Sequence, residues 1–495
     1  MSDASAENNF KQRNAGVLLH PTSLPSTCTD RGGDIGAPAH RFLNLLAAAG
    51  FRVWQMLPIG PTHGDRSPYQ SLSVHAGNID LISLEWLHER QWLNADELSL
   101  PRSAALQCAA PRFAEAAAKQ AEWGTRYHQF CELHRQWLDD YALFIAAREA
   151  RGHSAWFTWP LALRRREAQA LQAERQTLLV RIEAVKFEQF VFFCQWQELR
   201  VAAQTLNIQL FGDMPIFVGH DSADVWAAQE LFRLAEDGSV LTVAGVPPDY
   251  FSATGQRWGN PHYNWPAMQA QGFAWWLNRL HTQLLCFDII RVDHFRGFEA
   301  YWEIPAASAT ATEGHWVKAP GAALLEAMFQ AYPQLSLVAE NLGVITDQVE
   351  ALRMQFHLPG MLILQFAFGG DAANPYLPHN HQTGDVVYTG THDNDTTLGW
   401  YQTLEPAVRE QIDEYFGHSG DAVPWLFIRA ALASVAYLAI IPWQDVLALN
   451  STARMNIPGT VEGNWRWQFD WAQVPEGLAE RVRAALILYG RLPRF

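Results

Sequence analysis

Residues 287–302 read FDIIRVDHFRGFEAYW. The run opens on apolar, partly β-branched residues and then places Arg291, Asp293, His294 and Arg296 within six positions. Successive side chains of a strand point to opposite faces, so Arg291 and Asp293, two apart, share one face of whatever sheet they join. An Arg beside an Asp in a partly desolvated place keeps the carboxylate ionised and aims it. Such an Asp can serve as a nucleophile, and it can equally be half of a structural ion pair, because structural pairs perturb titration too.

Seven further runs have the same apolar character: GVLLHP from Gly16, FRVWQMLP from Phe51, IQLFGDMPIFV from Ile208, LSLVAENLG from Leu335, MLILQFAF from Met361, DVVYTGTHD from Asp385 and AYLAIIPW from Ala436. Continuous rather than alternating hydrophobicity suits strands covered on both faces, as in a parallel sheet flanked by helices. Helical patterns such as APAHRFLNLLAAAG (37–50) and AALLEAMFQAYPQ (322–334) lie between neighbouring runs, as βαβ units require. Eight such runs predict an α/β fold, a closed (β/α)8 TIM barrel. Residues 80–205 carry helical spacing and read as a helical insertion, while 219–275, dense in turn signals such as EDGS and GNPHYNW, reads as a second one. The expectation is one catalytic barrel over 1–495, with both insertions packed on it.

The C-terminal rim of such a barrel is where active sites sit. His20, Asp213, Asp293, Glu340 and the His392–Asp393 pair follow or close the apolar runs. Each one alone is readable as a turn residue or helix cap. Carboxylates after the fourth, fifth and seventh runs together point further, because two carboxyl groups across a cleft can split a glycosidic bond. Asp293 and Glu340, ending successive strands, are placed for that work. Sugars also need flat apolar surfaces. Of 21 Trp, 13 Tyr and 27 Phe, those in Gly- and Pro-rich surroundings are the candidates: Tyr69, Tyr250, Phe251 and Trp258.

Other chemistries find little footing. The sequence has no GxSxG, HExxH, Walker-type loop or strand-associated GxGxxG, and its 18 His do not cluster at ligand spacing. A formal net charge of -15 disfavours nucleic acid and anionic membrane as partners. Five scattered cysteines argue for reduced thiols and a cytoplasmic address. The polar first residues lack a signal-peptide pattern, and the most apolar stretch, 430–442, is too short to span a bilayer.

Longer segments carry a resemblance. GVLLHPTSLPS, SPYQS, HAGN, GDMPIFV, PPDYFSATGQ, WGNP, RVDHFRGF, VAENLGVIT, LPGM, QFAF, NPYLPHN, YTGTHDNDT, ARMNIPGT and GNWRW, in this order from Gly16 to Trp467, resemble the 4-α-glucanotransferases called amylomaltases or disproportionating enzymes, of the wider α-amylase clan. The resemblance implies a retaining double displacement that moves α-1,4-glucan segments between maltooligosaccharide or glucan chains, with cyclic glucans a further product. At matching positions it implies Asp293 as nucleophile, Glu340 as acid and then base, and Asp393 as the third carboxylate gripping the sugar. It implies that Arg291 orients the nucleophile, that Asp213 braces Arg291, and that His392 and Tyr69 contact the same sugar. Trp258, Asp371, Ser67 and Asn464 match positions of substrate contact. The chain departs from the family's common form at GPTHGDRSPYQ and at GQRWGN, which bears on outer sugar subsites, and its TCTDRGG segment is also unusual. No metal or other cofactor is expected. An α-1,4-glucan hydrolase with the same carboxylates is the alternative activity, and a carbohydrate-binding or regulatory protein the alternative class.

Overall fold

A computed structural model describes residues 12–26, 32–248, 252–417 and 420–492. Eight strands form one parallel sheet: β1 (Asn14–Leu18), β2 (Val53–Gln55), β3 (Gln209–Pro215), β4 (Ile289–Asp293), β5 (Leu337–Ala339), β6 (Met361–Ile363), β7 (Val386–Tyr388) and β8 (Leu438–Pro442). They run in the order β6-β7-β8-β1-β2-β3-β4-β5, so β8 pairs with β1 and the sheet curls round. Two hydrogen bonds close the seam between β5 and β6. Ala339 N–H donates to Pro359 O at 2.8 Å, and Met361 N–H donates to Asn341 Oδ1 at 2.8 Å. The eight apolar runs are thus the eight staves of a (β/α)8 barrel.

Both faces of each stave are buried, which explains the unbroken hydrophobicity. Leu18, Val53, Phe211, Ile289, Val338, Ile363, Val386, Tyr388 and Ile440 fill the barrel interior. Their neighbours Val17, Trp54, Leu210, Ile290, Val292, Leu337, Val387 and Ile441 face outward to the helices. The alternation then fixes the rim. Phe211 and Ile289 point inward, so Asp213, Arg291 and Asp293 on the same faces do too.

Local sequence explains the crossovers. The helix Ala37–Ala49 between β1 and β2 carries Pro in its first turn and ends on Gly50 at φ 89°, a left-handed cap that glycine adopts without strain. Other crossovers are Leu179–Thr205 into β3, Ala274–Cys286 into β4, Gly321–Ala331 into β5 and Asp347–Gln355 into β6. Between β6 and β7 there are only 3-10 turns, at Leu364–Phe366 and Pro378–Asn380. The C-terminal helix Leu478–Leu488 packs on Ala37–Ala49 from outside.

Between β2 and β3 lie the helices Arg102–Lys119, Ala121–Leu133 and Arg135–Ala150, with Leu179–Thr205 running beside them. A second, antiparallel sheet takes the order Gln256–Pro261, Thr242–Val246, Ala300–Pro305, His315–Lys318. Two of its strands come from before β4 and two from after it. It therefore brackets the nucleophile-like stretch on both sides in sequence, and its first strand delivers Trp258 to the rim.

Candidate active site

The strand register assembles the centre. Asp213 pairs with Arg291 across β3 and β4, and Arg291 with Val338 across β4 and β5, so two residues further along Asp293 and Glu340 come side by side. The Arg291 side chain is 4% exposed. Its Nη1 donates to both oxygens of Asp213 at 2.7 Å. Its Nη2 reaches Asp293 Oδ1 at 3.0 Å and Glu340 Oε2 at 3.2 Å. One guanidinium therefore holds three carboxylates from three adjacent staves.

Asp393, on the loop after β7, completes the set from the other side. Its Oδ1 accepts from Asn456 Nδ2 at 2.6 Å, its backbone oxygen accepts from Arg454 Nη2 at 2.8 Å, and His392 Nε2 stands 3.3 Å from its Oδ2. Tyr69 ties the two sides together. Its hydroxyl donates to Asp213 Oδ2 at 2.7 Å and lies 2.8 Å from His392 Nε2, and its ring stacks on the imidazole at 5.2 Å between centroids, 14° between planes. The phenol thereby bridges Asp213 on one side of the site and the imidazole of His392 on the other.

The charges around Arg291 are unbalanced: three carboxylates touch one guanidinium. Burial pushes Asp293 well above the ordinary carboxylate range, against the pull of Arg291 and with the help of Glu340, Asp213 and Asp393. Burial works against the charge on Arg291, but Asp213, Glu340 and Asp293 outweigh it and raise the guanidinium well above its ordinary value. Burial, then Asp213, raises Tyr69, which stays a phenol. His20 lies behind His392; burial first and His392 second pull it down to about 3, so it is neutral.

Above these groups a groove of about 480 Å³ is lined by Asp293, Glu340, Asp393, Tyr69, Trp258 and Ser67, with Trp465 and the stretch 458–461 on one edge. Its walls offer ring faces and amide or hydroxyl groups, the combination that receives a sugar. Asp213, Arg291 and His392 are buried beneath its floor. Asn464 does not line it; its side chain accepts from Ile457 N–H at 3.0 Å and donates to Thr460 O and Oγ1 at 3.0 Å each, shaping the loop that does. Asp371 is not at the groove either. It is exposed and accepts from Ala373 N–H at 2.9 Å, closing its own turn in the crossover between β6 and β7. Tyr250 and Phe251 lie outside the described residues. Among the described residues no cluster of three or more His, Cys, Asp or Glu could hold a metal ion.

Three groups at the site carried no chemical pattern in the sequence. Asn456 grips Asp393, and only its place in ARMNIPG could have drawn attention to it. Trp465, 6.0 Å from the rings of both Tyr69 and His392, sits in GNWRW, where a lone Trp reads as packing. His294 touches Glu340 through its backbone N–H, which no side-chain identity discloses.

Residues 19–473 match the sequence profile of the family described as 4-alpha-glucanotransferase. The chain is 47% identical over 489 residues to the 4-alpha-glucanotransferase of Thermus thermophilus, covering 95% of this chain and 97% of that one. To the chloroplastic/amyloplastic 4-alpha-glucanotransferase of Arabidopsis thaliana it is 41% identical over 502 residues, covering 97% and 86%. The amylomaltase of Streptococcus agalactiae, solved in complex with acarbose, superposes with a TM-score of 0.93 at 34% identity, covering 97% of this chain and all of that one. The chain belongs to the 4-alpha-glucanotransferase family, enzymes acting on α-1,4-glucans.

Proposed function

We propose that Asp293, Glu340 and Asp393 carry out glucan transfer by two displacements with net retention. The observation that carries this reading is the shared contact of Asp293 and Glu340 with one nitrogen of Arg291, at 3.0 and 3.2 Å. Two carboxyl oxygens on one donor can be no further apart than those two contacts laid end to end, which is short of the roughly 6.5–9.5 Å that inverting enzymes need for a water.

In the first displacement an Asp293 oxygen attacks C1 of the donor glucosyl unit, the bond from C1 to the interglycosidic O4 breaks, and Glu340 gives its proton to that oxygen. In the second, Glu340 takes the proton from the 4-hydroxyl of an acceptor chain, that oxygen attacks C1, and the ester bond to Asp293 breaks. Asp393, held by Asn456, accepts from the sugar's hydroxyls and favours its distorted, oxocarbenium-like form. Arg291, braced by Asp213 and through it by Tyr69, aims Asp293 and Glu340.

Donor and acceptor are read as maltooligosaccharides. Trp258, Trp465 and the 458–461 edge would seat the acceptor where water would otherwise meet the ester. Val461, 77% exposed on that edge, supports this, since an apolar side chain left open at a polar groove suits a sugar's flat face. Segments 80–205 and 219–275 are read as insertions of a single catalytic unit. A cytoplasmic setting is supported by the four described cysteines, all free, and no helix among the described residues is long and apolar enough to cross a membrane.

Incubation with maltotriose tests the reading. Transfer gives glucose and longer chains at a constant total of reducing ends. Hydrolysis, which the family relationship does not favour, raises that total.

A further inference from the structure

His294 is the residue immediately after Asp293, and its backbone stands at φ 51°, ψ 51°, in the left-handed region that side chains with a Cβ enter at a cost. Residues held there against their preference cluster where the strain is used. At this point the chain must leave β4 abruptly, and Gly297 N–H donates back to His294 O at 2.9 Å to close the turn. The turn has a second effect. It aims the His294 N–H at Glu340 Oε2.

That contact is one of a set. Phe295 N–H donates to the Glu340 carbonyl at 3.2 Å, Glu340 N–H donates to Val292 O at 3.1 Å, and Arg291 Nη2 touches the same Oε2. Glu340 is thus held at its side chain, its carbonyl and its amide by residues 291–295, the stretch that carries Asp293. The imidazole takes no part in this polar set. Its Nε2 is buried with no hydrogen-bond partner, and Trp258 meets the ring edge-on at 4.9 Å and 88°. Burial pulls it down to about 4, so the ring is neutral.

We propose that His294 is a positioning residue for Glu340: its left-handed backbone turns an N–H onto the carboxylate of the acid and holds that carboxylate in register with Asp293, with no acid–base role for the imidazole. This rests on the assignment of Glu340 as acid and base. The prediction is specific to residue class. Glycine and asparagine accept the left-handed region, whereas a β-branched side chain resists it.

The test uses His294→Gly, His294→Asn and His294→Val with two donors, maltotriose and α-maltosyl fluoride. Fluoride leaves without protonation, so its first-turnover release reports the nucleophile alone. His294→Gly and His294→Asn, which also lose the ring that packs on Trp258 at the groove, should each keep about tenfold or more of the maltotriose kcat that His294→Val loses. His294→Val should lose about tenfold or more in kcat on maltotriose, out of the roughly 100- to 10,000-fold that a general acid supplies. Its KM and its fluoride release should change less than about threefold. Glu340→Ala checks the underlying assignment separately, by keeping fluoride release while losing turnover of maltotriose.

Equal damage in all three His294 variants would show that the imidazole itself acts and would overturn the proposal. So would an unchanged maltotriose kcat in His294→Val, or an equal loss on both donors. Loss of fluoride release in Glu340→Ala would instead sink the acid assignment. If His294→Val does not fold, His294→Thr, β-branched and more polar, takes its place, and a maltotriose kcat equal to that of His294→Asn contradicts a backbone role.

Discussion

Asp213 faces Arg291 in register across two adjacent parallel strands, and a single guanidinium nitrogen takes both of its carboxylate oxygens at 2.7 Å. The other terminal nitrogen is thereby left to Asp293 and Glu340. Asp213 does not line the groove, yet it fixes the guanidinium that touches Asp293 and Glu340.

Asp213→Ala should consequently cost both activity and stability. It leaves the Tyr69 hydroxyl and one buried guanidinium nitrogen without their acceptor while Arg291 keeps Asp293 and Glu340, a loss of about 1–3 kcal/mol. Chemical denaturation should show a lower midpoint, and kcat on maltotriose should fall far more than KM rises, because the loss is of orientation rather than of sugar contact.

Asp293→Asn should do the opposite to stability while abolishing turnover. Folding raises the proton affinity of Asp293, mainly through burial. The stability linked to a raised carboxyl is fully present below the ordinary carboxylate range and is lost as pH rises through the folded value. Above the ordinary carboxylate range the acid is therefore a burden on the folded state, and the neutral amide removes it. Thermal unfolding from pH 5 to 8 should show a midpoint for the variant above that of the parent, by a margin of order 1–2 °C that widens with pH. A variant midpoint below the parent's throughout would contradict the charge balance described here.

Asn456→Ala isolates the grip on the third carboxylate. One hydrogen bond to a charged group is removed at the edge of the groove, so kcat/KM for maltotriose should drop about 10- to 100-fold with little change in unfolding midpoint. Asn456→Asp should be worse, because it sets a like charge against Asp393 at contact distance.

Tyr69→Phe keeps the stack on His392 and deletes the hydroxyl between His392 and Asp213. The predicted loss in kcat/KM is about tenfold, and Tyr69→Ala should lose clearly more by removing the ring as well. Equal losses would mean that the ring face contributes nothing.

Much of this was legible in the residues. Continuous apolar runs gave the staves, because a strand buried on both faces cannot alternate. The two-residue spacing of Arg291 and Asp293 gave their common face, and placement after successive runs gave Glu340 its proximity. What escaped depended on conformation or on long-range pairing. Ala300–Pro305 reads as the tail of a strand run, and nothing local says that it pairs with Thr242–Val246. The left-handed turn at His294 is a backbone state, and the role of Asn456 exists only once a loop 63 positions away reaches Asp393. Asp371 shows the converse: a position carried over from the family lies on an exposed turn, away from the groove.

The central claim is that Asp293 forms a covalent bond to the glucosyl unit while Glu340 serves the leaving and entering oxygens. Mass spectrometry of Glu340→Ala after exposure to α-maltosyl fluoride tests it most directly. The protein should gain one maltosyl unit, mapped to the peptide containing Asp293. An adduct on another residue, or fluoride release with no adduct while Asp293→Asn continues to turn over, would contradict it.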